Sequence, residues 1–348
     1  MESGSGRRVA GGTGATHRER PEFRRICAMR ALLRTAVNGI IADMNFRKIA
    51  VLMGGVSNER EISLISGANV ADALARLEGV EVVPVRLEEN ALPPLPEGTD
   101  ACFIALHGGW GENGGVQRAL DALKVPYTGP GADACELAMD KIATKKVLEK
   151  AGVPTAAWRE VRCGDSSPNT LGFPVVVKAP RDGSSVGVYK CDSEAEYQEA
   201  LAKAWKIDAD AFGGPGTAIA EAFVDGREAT VGVLGGKALP AIEIVAAGGW
   251  YGYEEKYNSD ETRYPFIKGE PELEAELARI AIDAYRACGC RGVTRVDFRV
   301  DREGRPLVLE LNTSPGMTGH SLVPKAAADA GLDFPRLCAA ILDEAAFG

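Results

Sequence analysis

Apolar and polar positions alternate most regularly in residues 292–322, GVTRVDFRVDREGRPLVLELNTSPGMTGHSL. Side chains of a strand alternate between its two faces. A period of two over 293–300 and again over 307–312 therefore predicts two strands. Asp301-Arg302-Glu303-Gly304 between them is turn chemistry. The parity sets Arg295 and Asp297 on one face of the first strand and Glu310 and Asn312 on one face of the second. It assigns Thr294, Val296, Phe298, Leu307, Leu309 and Leu311 to the core. A turn centred on Glu303-Gly304 places Asp297 opposite Glu310 and Arg295 opposite Asn312. Two opposed carboxylates destabilise a hairpin. A hard cation between them reverses that sign, and Asp, Glu and Asn oxygens are the ligands Mg2+ prefers. The alternative is an edge hairpin with a solvated polar face. The Gly/Pro turn that follows, Asn312 to Thr318, exposes backbone N–H groups that can hold an anion or an oxyanion.

The rest of the chain alternates strands and helices. Ile49–Met53 reads as a strand and Gly54-Gly55-Val56-Ser57-Asn58 as a turn. Within Glu59–Leu77 a helical stripe runs through Ile62, Ile65, Val70, Ala73 and Leu77, and Val80–Val85 is the next strand. This βαβ opening is similar to a dinucleotide-binding unit, but the full G-x-G-x-x-G is absent. Glu61 falls in the first helical turn, where a carboxylate suits the helix dipole. Ala101–Leu106 runs straight into the Gly-rich stretch His107 to Gly115, the position where α/β folds hold ligands. Pro126–Gly131 breaks the chain. Helices between Asp133 and Gly152 carry Lys141. The strand Phe173–Lys178 and a returning strand to Lys190 flank a small-residue loop, Arg181–Gly187, able to drape N–H groups over phosphates. Ser193 and Glu196 form a capping box. Strands Thr217–Glu221 and Arg227–Leu234 follow, then a long polar loop from Gly248 to Phe266. Glu270–Cys288 is an amphipathic helix, and Pro324–Phe347 is a helical tail.

At 348 residues the chain suits two or three domains. Its 45% apolar and 26% charged residues are ordinary for a soluble globular protein, and a net charge of −9 argues against nucleic acid as a partner. No apolar run approaches the span of a membrane. The eight cysteines are scattered without Cys-x-x-Cys spacing, which points to a reducing cytoplasm. Residues 1–45 are rich in Gly and Arg and poor in acids. The expectation there is a disordered extension, with Met44 as the natural start or a targeting segment as the alternative.

Several stretches together resemble the D-alanine:D-alanine ligases of the ATP-grasp family. They are Gly54–Ser63, His107-Gly108 with Gly111-Glu112, Met139-Asp140-Lys141, Lys178 with Gly183–Gly187, Glu255–Tyr257 with Ser259–Thr262, and Asn312–Leu322. The resemblance implies an α/β, three-domain ATP-grasp ligase: an N-terminal parallel α/β domain over 46–130, a central lid domain over 131–220 and a catalytic domain over 221–348. It implies ATP and two Mg2+ (or Mn2+) as cofactors, two D-alanines as substrates and a cytoplasmic homodimer. Lys141, Lys178 and Lys256 would then contact phosphates, with Ser184 and Ser185 in the covering loop. Glu221 and the backbone of Ala222–Val224 would hold adenine and Glu228 the ribose. Asp297, Glu310 and Asn312 would hold the metals. Glu61 would pair with the ammonium of the first D-alanine, and Ser321 and Leu322 would receive the carboxylate of the second. Arg295 and the Gly316 N–H would face the reacting carboxylate, and His107 the incoming amine. Tyr257, Ser184 and Glu61 would hold the long loop closed. The competing readings are a related ATP-grasp ligase making an ester or another dipeptide, a nucleotide-binding regulatory protein with a dead site, and a Rossmann dehydrogenase. ATP hydrolysis measured with and without D-alanine separates them.

Overall fold

The computed structural model describes residues 46–183, 187–246 and 262–348. The extension over 1–45 lies outside these, as does most of the long loop, residues 247–261. Three sheets carry the architecture. In the first, β1 (Lys48–Gly54) lies between β2 (Glu81–Leu87) and β3 (Ala101–Ile104), all parallel. Every residue of β1 after Lys48 is buried, as expected of a strand covered on both faces. It ends at Gly54, whose positive φ of 91° and close approach to the Leu87 carbonyl leave no space for a side chain.

Helix α1 (Arg60–Leu74) packs on this sheet, but not with the predicted stripe. Its buried face is Ser63, Ser66, Gly67, Val70, Ala71, Ala73 and Leu74, while Ile65 is 50% exposed. The reason is the distance between helix and sheet. A Cβ on Gly67 would lie 2.5 Å from the Met53 side chain, so only small residues fit. Ser63 links the layers by accepting the Gly54 N–H at 2.8 Å and donating to the Ala105 carbonyl at 2.7 Å. Ile62 and Ile65 are turned instead toward a cleft.

Helices α2 (Gly115–Leu123), α3 (Ala132–Met139) and α4 (Lys141–Lys150) lead to the second sheet. Its strands are β4 (Trp158–Arg162), β5 (Val175–Lys178), β6 (Val188–Cys191) and β7 (Thr217–Ala222), antiparallel in the order β4-β7-β5-β6. Helix α5 (Glu194–Phe212) covers it. Ser193 caps α5 by accepting the Glu196 N–H at 3.4 Å, and the Glu196 carboxylate returns to the Asp192 N–H at 2.6 Å. The third sheet runs β10-β8-β11-β12, with β8 (Gly226–Leu234), β10 (Ile242–Ile244), β11 (Val293–Asp301) and β12 (Pro306–Asn312). The short β9 (Lys237–Ala238) pairs with β8, and α6 (Pro271–Ala287) packs over the sheet. Residues from α3 and α4, among them Ala138 and Leu148, belong to the core of this third sheet; the core of the second begins only at Val161.

The central hairpin has the expected pairing, Arg295 with Asn312 and Asp297 with Glu310. Its side-chain parity is partly different. A bulge lies where Asp297 pairs Glu310 but Phe298 pairs Val308, leaving Leu309 as an extra residue. The buried positions of β12 are Pro306, Val308 and Leu311, so Leu307 and Leu309 do not face the core. The tail is two helices, α7 (Leu322–Asp329) and α8 (Phe334–Asp343). Gly331, at φ 89°, stops the first, and Asp333 caps the second through the Arg336 N–H at 3.0 Å. Both pack with α1 and the first sheet, tying the two ends of the described chain into one core.

Candidate active site

Two clefts meet at the third sheet. The first lies between the second and third sheets and is lined by Lys141, Lys178, Glu221–Val224, Glu228, Asp297, Leu309 and Glu310. The second lies between α1, the loop after β3 and the turn after β12. Arg295 and Leu322 line both.

In the first cleft Asp140 caps α4 by accepting the Ile142 and Ala143 N–H groups at 2.9 and 3.0 Å. That fixes the helix start and aims Lys141 at the cleft, where its Nζ donates to the Asp182 carbonyl at 2.6 Å and stands 3.8 Å from Glu310. One turn later Lys145 is 1% exposed. Its Nζ lies 2.5 Å from Glu221 Oε1 and also donates to Thr155 Oγ1. The other oxygen of Glu221 pairs with Lys178. Burial opposes the charge on Glu221, but Lys178 and Lys145 overcome it and hold its carboxyl down at about 2. Glu228 has the reverse balance. Burial pushes its carboxyl up to about 7, with Arg299, 3.4 Å away, only partly opposing. Arg299 also donates to the carbonyls of Val224 and Gly226, bracing the connection between β7 and β8.

The candidate metal ligands share this face. Asp297 and Glu310 are directly opposed, and Asn312 follows one step along the strand face. Among the described residues no three His, Cys, Asp or Glu side chains converge as a metal cluster, so the set depends on the Asn312 amide for its third donor. Asp297 receives both arms of Arg295, at 2.8 and 2.7 Å, and the Thr230 hydroxyl at 2.6 Å. Cationic groups thus already offset the carboxylate pair. Opposed carboxylates with a neighbouring amide oxygen are the donor chemistry of a hard divalent cation, and the residues fit one.

In the second cleft His107 is buried at the end of the β3 segment. Its Nδ1 lies 3.0 Å from the Ser314 carbonyl, an acceptor only, so the proton sits on Nδ1. Nε2 lies 3.0 Å from the Ser66 hydroxyl, which also accepts the Met317 N–H. Gly316 packs against Ser321, where a Cβ would come within 2.7 Å of the hydroxyl. Ser321 sits just before α7, and its hydroxyl accepts the Thr318 N–H at 3.0 Å instead of capping the helix. The first turn of α7 thus opens at the cleft as a site of positive potential.

Glu61 is not part of this arrangement. It is exposed and lies outside the cleft lining, whereas Glu59 lines it beside His107. Glu59 is the residue just before α1, at the turn, whereas Glu61 lies in its first turn and points away from the cleft. Ser184, Ser185, Lys256 and Tyr257 lie outside the described residues, and with them the expected set of Tyr257, Ser184 and Glu61. Sequence reasoning passed over Glu59, Lys145, Arg299 and Leu309. Glu59 was legible from its place at the turn into α1. Lys145 had only its helical spacing from Lys141 as a signal, and Leu309 had none, because the bulge reverses its parity.

The comparisons agree with this geometry. The family model described as D-ala D-ala ligase C-terminus matches residues 147–343. A D-alanine–D-alanine ligase of Bordetella pertussis is 47% identical over 311 residues, covering 86% of this chain and 96% of the relative. One of Methylibium petroleiphilum is 45% identical, covering 87% and 97%. Among solved structures, a Bacillus anthracis D-alanine–D-alanine ligase complexed with ATP matches with a TM-score of 0.73 at 31% identity, over 86% of this chain and 97% of that one. The Coxiella burnetii enzyme matches with a TM-score of 0.72 at 25% identity, over 86% and 94%. By its two joined clefts, its sheets and its sequence, the chain belongs to the D-alanine–D-alanine ligase family.

Proposed function

We propose that this chain is an ATP-dependent ligase joining two D-alanines into D-alanyl-D-alanine for peptidoglycan precursor synthesis, releasing ADP and phosphate. The observation that carries this reading is the position of Arg295 and Leu322 on both clefts. A phosphoryl group aligned in the first cleft reaches a carboxylate held in the second. The chemistry needs that adjacency. A carboxylate is a poor acyl donor until its oxygen is phosphorylated, and the acyl phosphate then loses phosphate to an attacking amine. Phosphoryl transfer demands alignment and charge neutralisation more than covalent help.

Lys141 and Lys178 supply positive charge to the phosphates, and Glu221 with Ala222–Val224 holds the adenine while Glu228 takes the ribose. Asp297, Glu310 and Asn312 would hold one or two Mg2+ or Mn2+, which when bound add charge neutralisation at the phosphates. Glu59, in place of Glu61, takes the ammonium of the first D-alanine. Arg295 and the Gly316 N–H stabilise the oxyanion of the tetrahedral intermediate. The first turn of α7 at Ser321 and Leu322 receives the second carboxylate. His107, held by the Ser314 carbonyl and the Ser66 hydroxyl, orients the acceptor side. The roles expected of Ser184, Ser185, Lys256 and Tyr257, in contacting phosphates and closing the long loop, belong to the same proposal. A cytoplasmic homodimer belongs to the same proposal; among the described residues no helix is long and apolar enough to cross a membrane.

The test is phosphate release from ATP with D-alanine present and absent, then with EDTA and with Mg2+ restored. Release should require D-alanine, stop with EDTA and return with Mg2+. Equal release without D-alanine would sink the ligase reading, and activity unaffected by EDTA would remove the metal.

A further inference from the structure

Among the described residues, the mechanism above leaves one buried cation unused. Lys145 is 1% exposed, does not line either cleft, and has Glu221 Oε1 at 2.5 Å and the Thr155 hydroxyl as its partners. Thr155 in turn donates to the Val308 carbonyl on β12 at 2.9 Å, which anchors the ammonium to the third sheet. A buried lysine is costly unless its charge is needed. We infer that Lys145 is a positioning residue, the dedicated counter-ion that keeps Glu221 an ionised acceptor and so selects adenine over an oxo-purine.

The argument turns on how two lysines share one carboxylate. Lys178 lines the nucleotide cleft and pairs with Glu221, yet the proposed function also assigns it to the phosphates. One ammonium divided between two anions holds neither fully. Lys145 has no access to the cleft, so its charge stays with Glu221. An ionised carboxylate accepts hydrogen bonds and cannot donate. It therefore welcomes the exocyclic amine of adenine and repels the carbonyl oxygen of guanine. Without Lys145, only the shared Lys178 opposes the burial that favours the protonated acid, a form that can donate to that carbonyl and weakens the discrimination.

This inference rests on the adenine being held at Glu221, so its test uses binding without turnover. ADP and GDP affinities are measured by calorimetry on the full chain for wild type, Lys145→Met, Glu221→Gln and the double variant. Lys145→Met should weaken ADP at least tenfold and leave GDP unchanged or tighter, collapsing the preference. Equal loss for both nucleotides would mean packing damage alone and would overturn the inference, as would an unchanged preference. Should Lys145→Met fail to fold, the pair without either charge decides. Neutral replacement of both buried partners is often tolerated. Glu221→Gln should by itself collapse the preference, and adding Lys145→Met should change it no further. A Glu221→Gln protein that keeps the preference, or a further shift on adding Lys145→Met, overturns the role of Lys145. Failure of ligation with normal ADP preference would count against the proposed reaction and leave Lys145 standing.

Discussion

At the scale of single residues, the turn into α1 carries the sharpest distinction. Glu59 and Glu61 are two positions apart, both acidic, and both favourable near a helix N-terminus. Their places separate them: Glu59 sits at the turn before α1 and Glu61 in its first turn. Glu59 reaches the cleft that holds His107, and Glu61 points into solvent. Glu59→Gln should raise the KM for D-alanine tenfold or more with little change in thermal midpoint. Glu61→Gln should sit near wild type in a D-alanine concentration series. Matching KM values for the two variants would return the assignment to Glu61 or remove both. Helical periodicity alone does not choose between them, because a one-position error in phasing a helix moves each side chain by about 100°; only the place of Glu59 at the turn marks it out.

Among elements, the β11–β12 hairpin shows how a strand can be right in register and wrong in parity. Counting back from the turn, Val300 pairs Pro306 and Phe298 pairs Val308, one position short of the pairing Asp297 needs with Glu310. Leu309 is the residue inserted to restore it. The consequence is that two consecutive side chains, Leu309 and Glu310, both reach the nucleotide cleft, an apolar wall beside a carboxylate. Val308, not Leu309, belongs to the core. Val308→Ala should therefore cost roughly 2 kcal/mol of folding stability, from lost burial and the cavity left behind. Leu309→Ala should instead weaken ADP binding severalfold, on the order of 1 kcal/mol, with a smaller loss of stability. Denaturant titration and calorimetry on the two variants separate these effects, and a reversed pattern would remove the bulge from the description of the site.

In the whole molecule, the nucleotide cleft is held together by a charge cluster drawn from three elements: Lys145 on α4, Lys178 on β5 and Glu221 on β7. Its linkage to stability has a definite sign. The carboxyl of Glu221 is depressed from 4.5 to about 2, so its contribution is complete above its ordinary value and is lost as pH falls through about 2. Other depressed carboxylates, such as Glu160 and Glu270, are largely solvent-screened ion pairs and contribute less. Denaturant titrations from pH 5 down to 2 should show wild-type stability falling more steeply than that of Glu221→Gln, and parallel curves would contradict the assignment. Periodicity and turn chemistry, which are local, determined the strands, most helices and the Gly-rich loops; motif spacing over nearly the whole chain determined the family, while the Asp297–Glu310 opposition took the bulge at Leu309 as well. What remained depended on contacts between distant segments. The closeness of α1 to its sheet selected serines over isoleucines for its buried face. The bulge decided which leucine lines the cleft, and the start of α1 which glutamate does. Lys145 acquired its partner only when α4 met β7, because burial and ion pairing are properties of segments brought together, and no spacing along the chain encodes them.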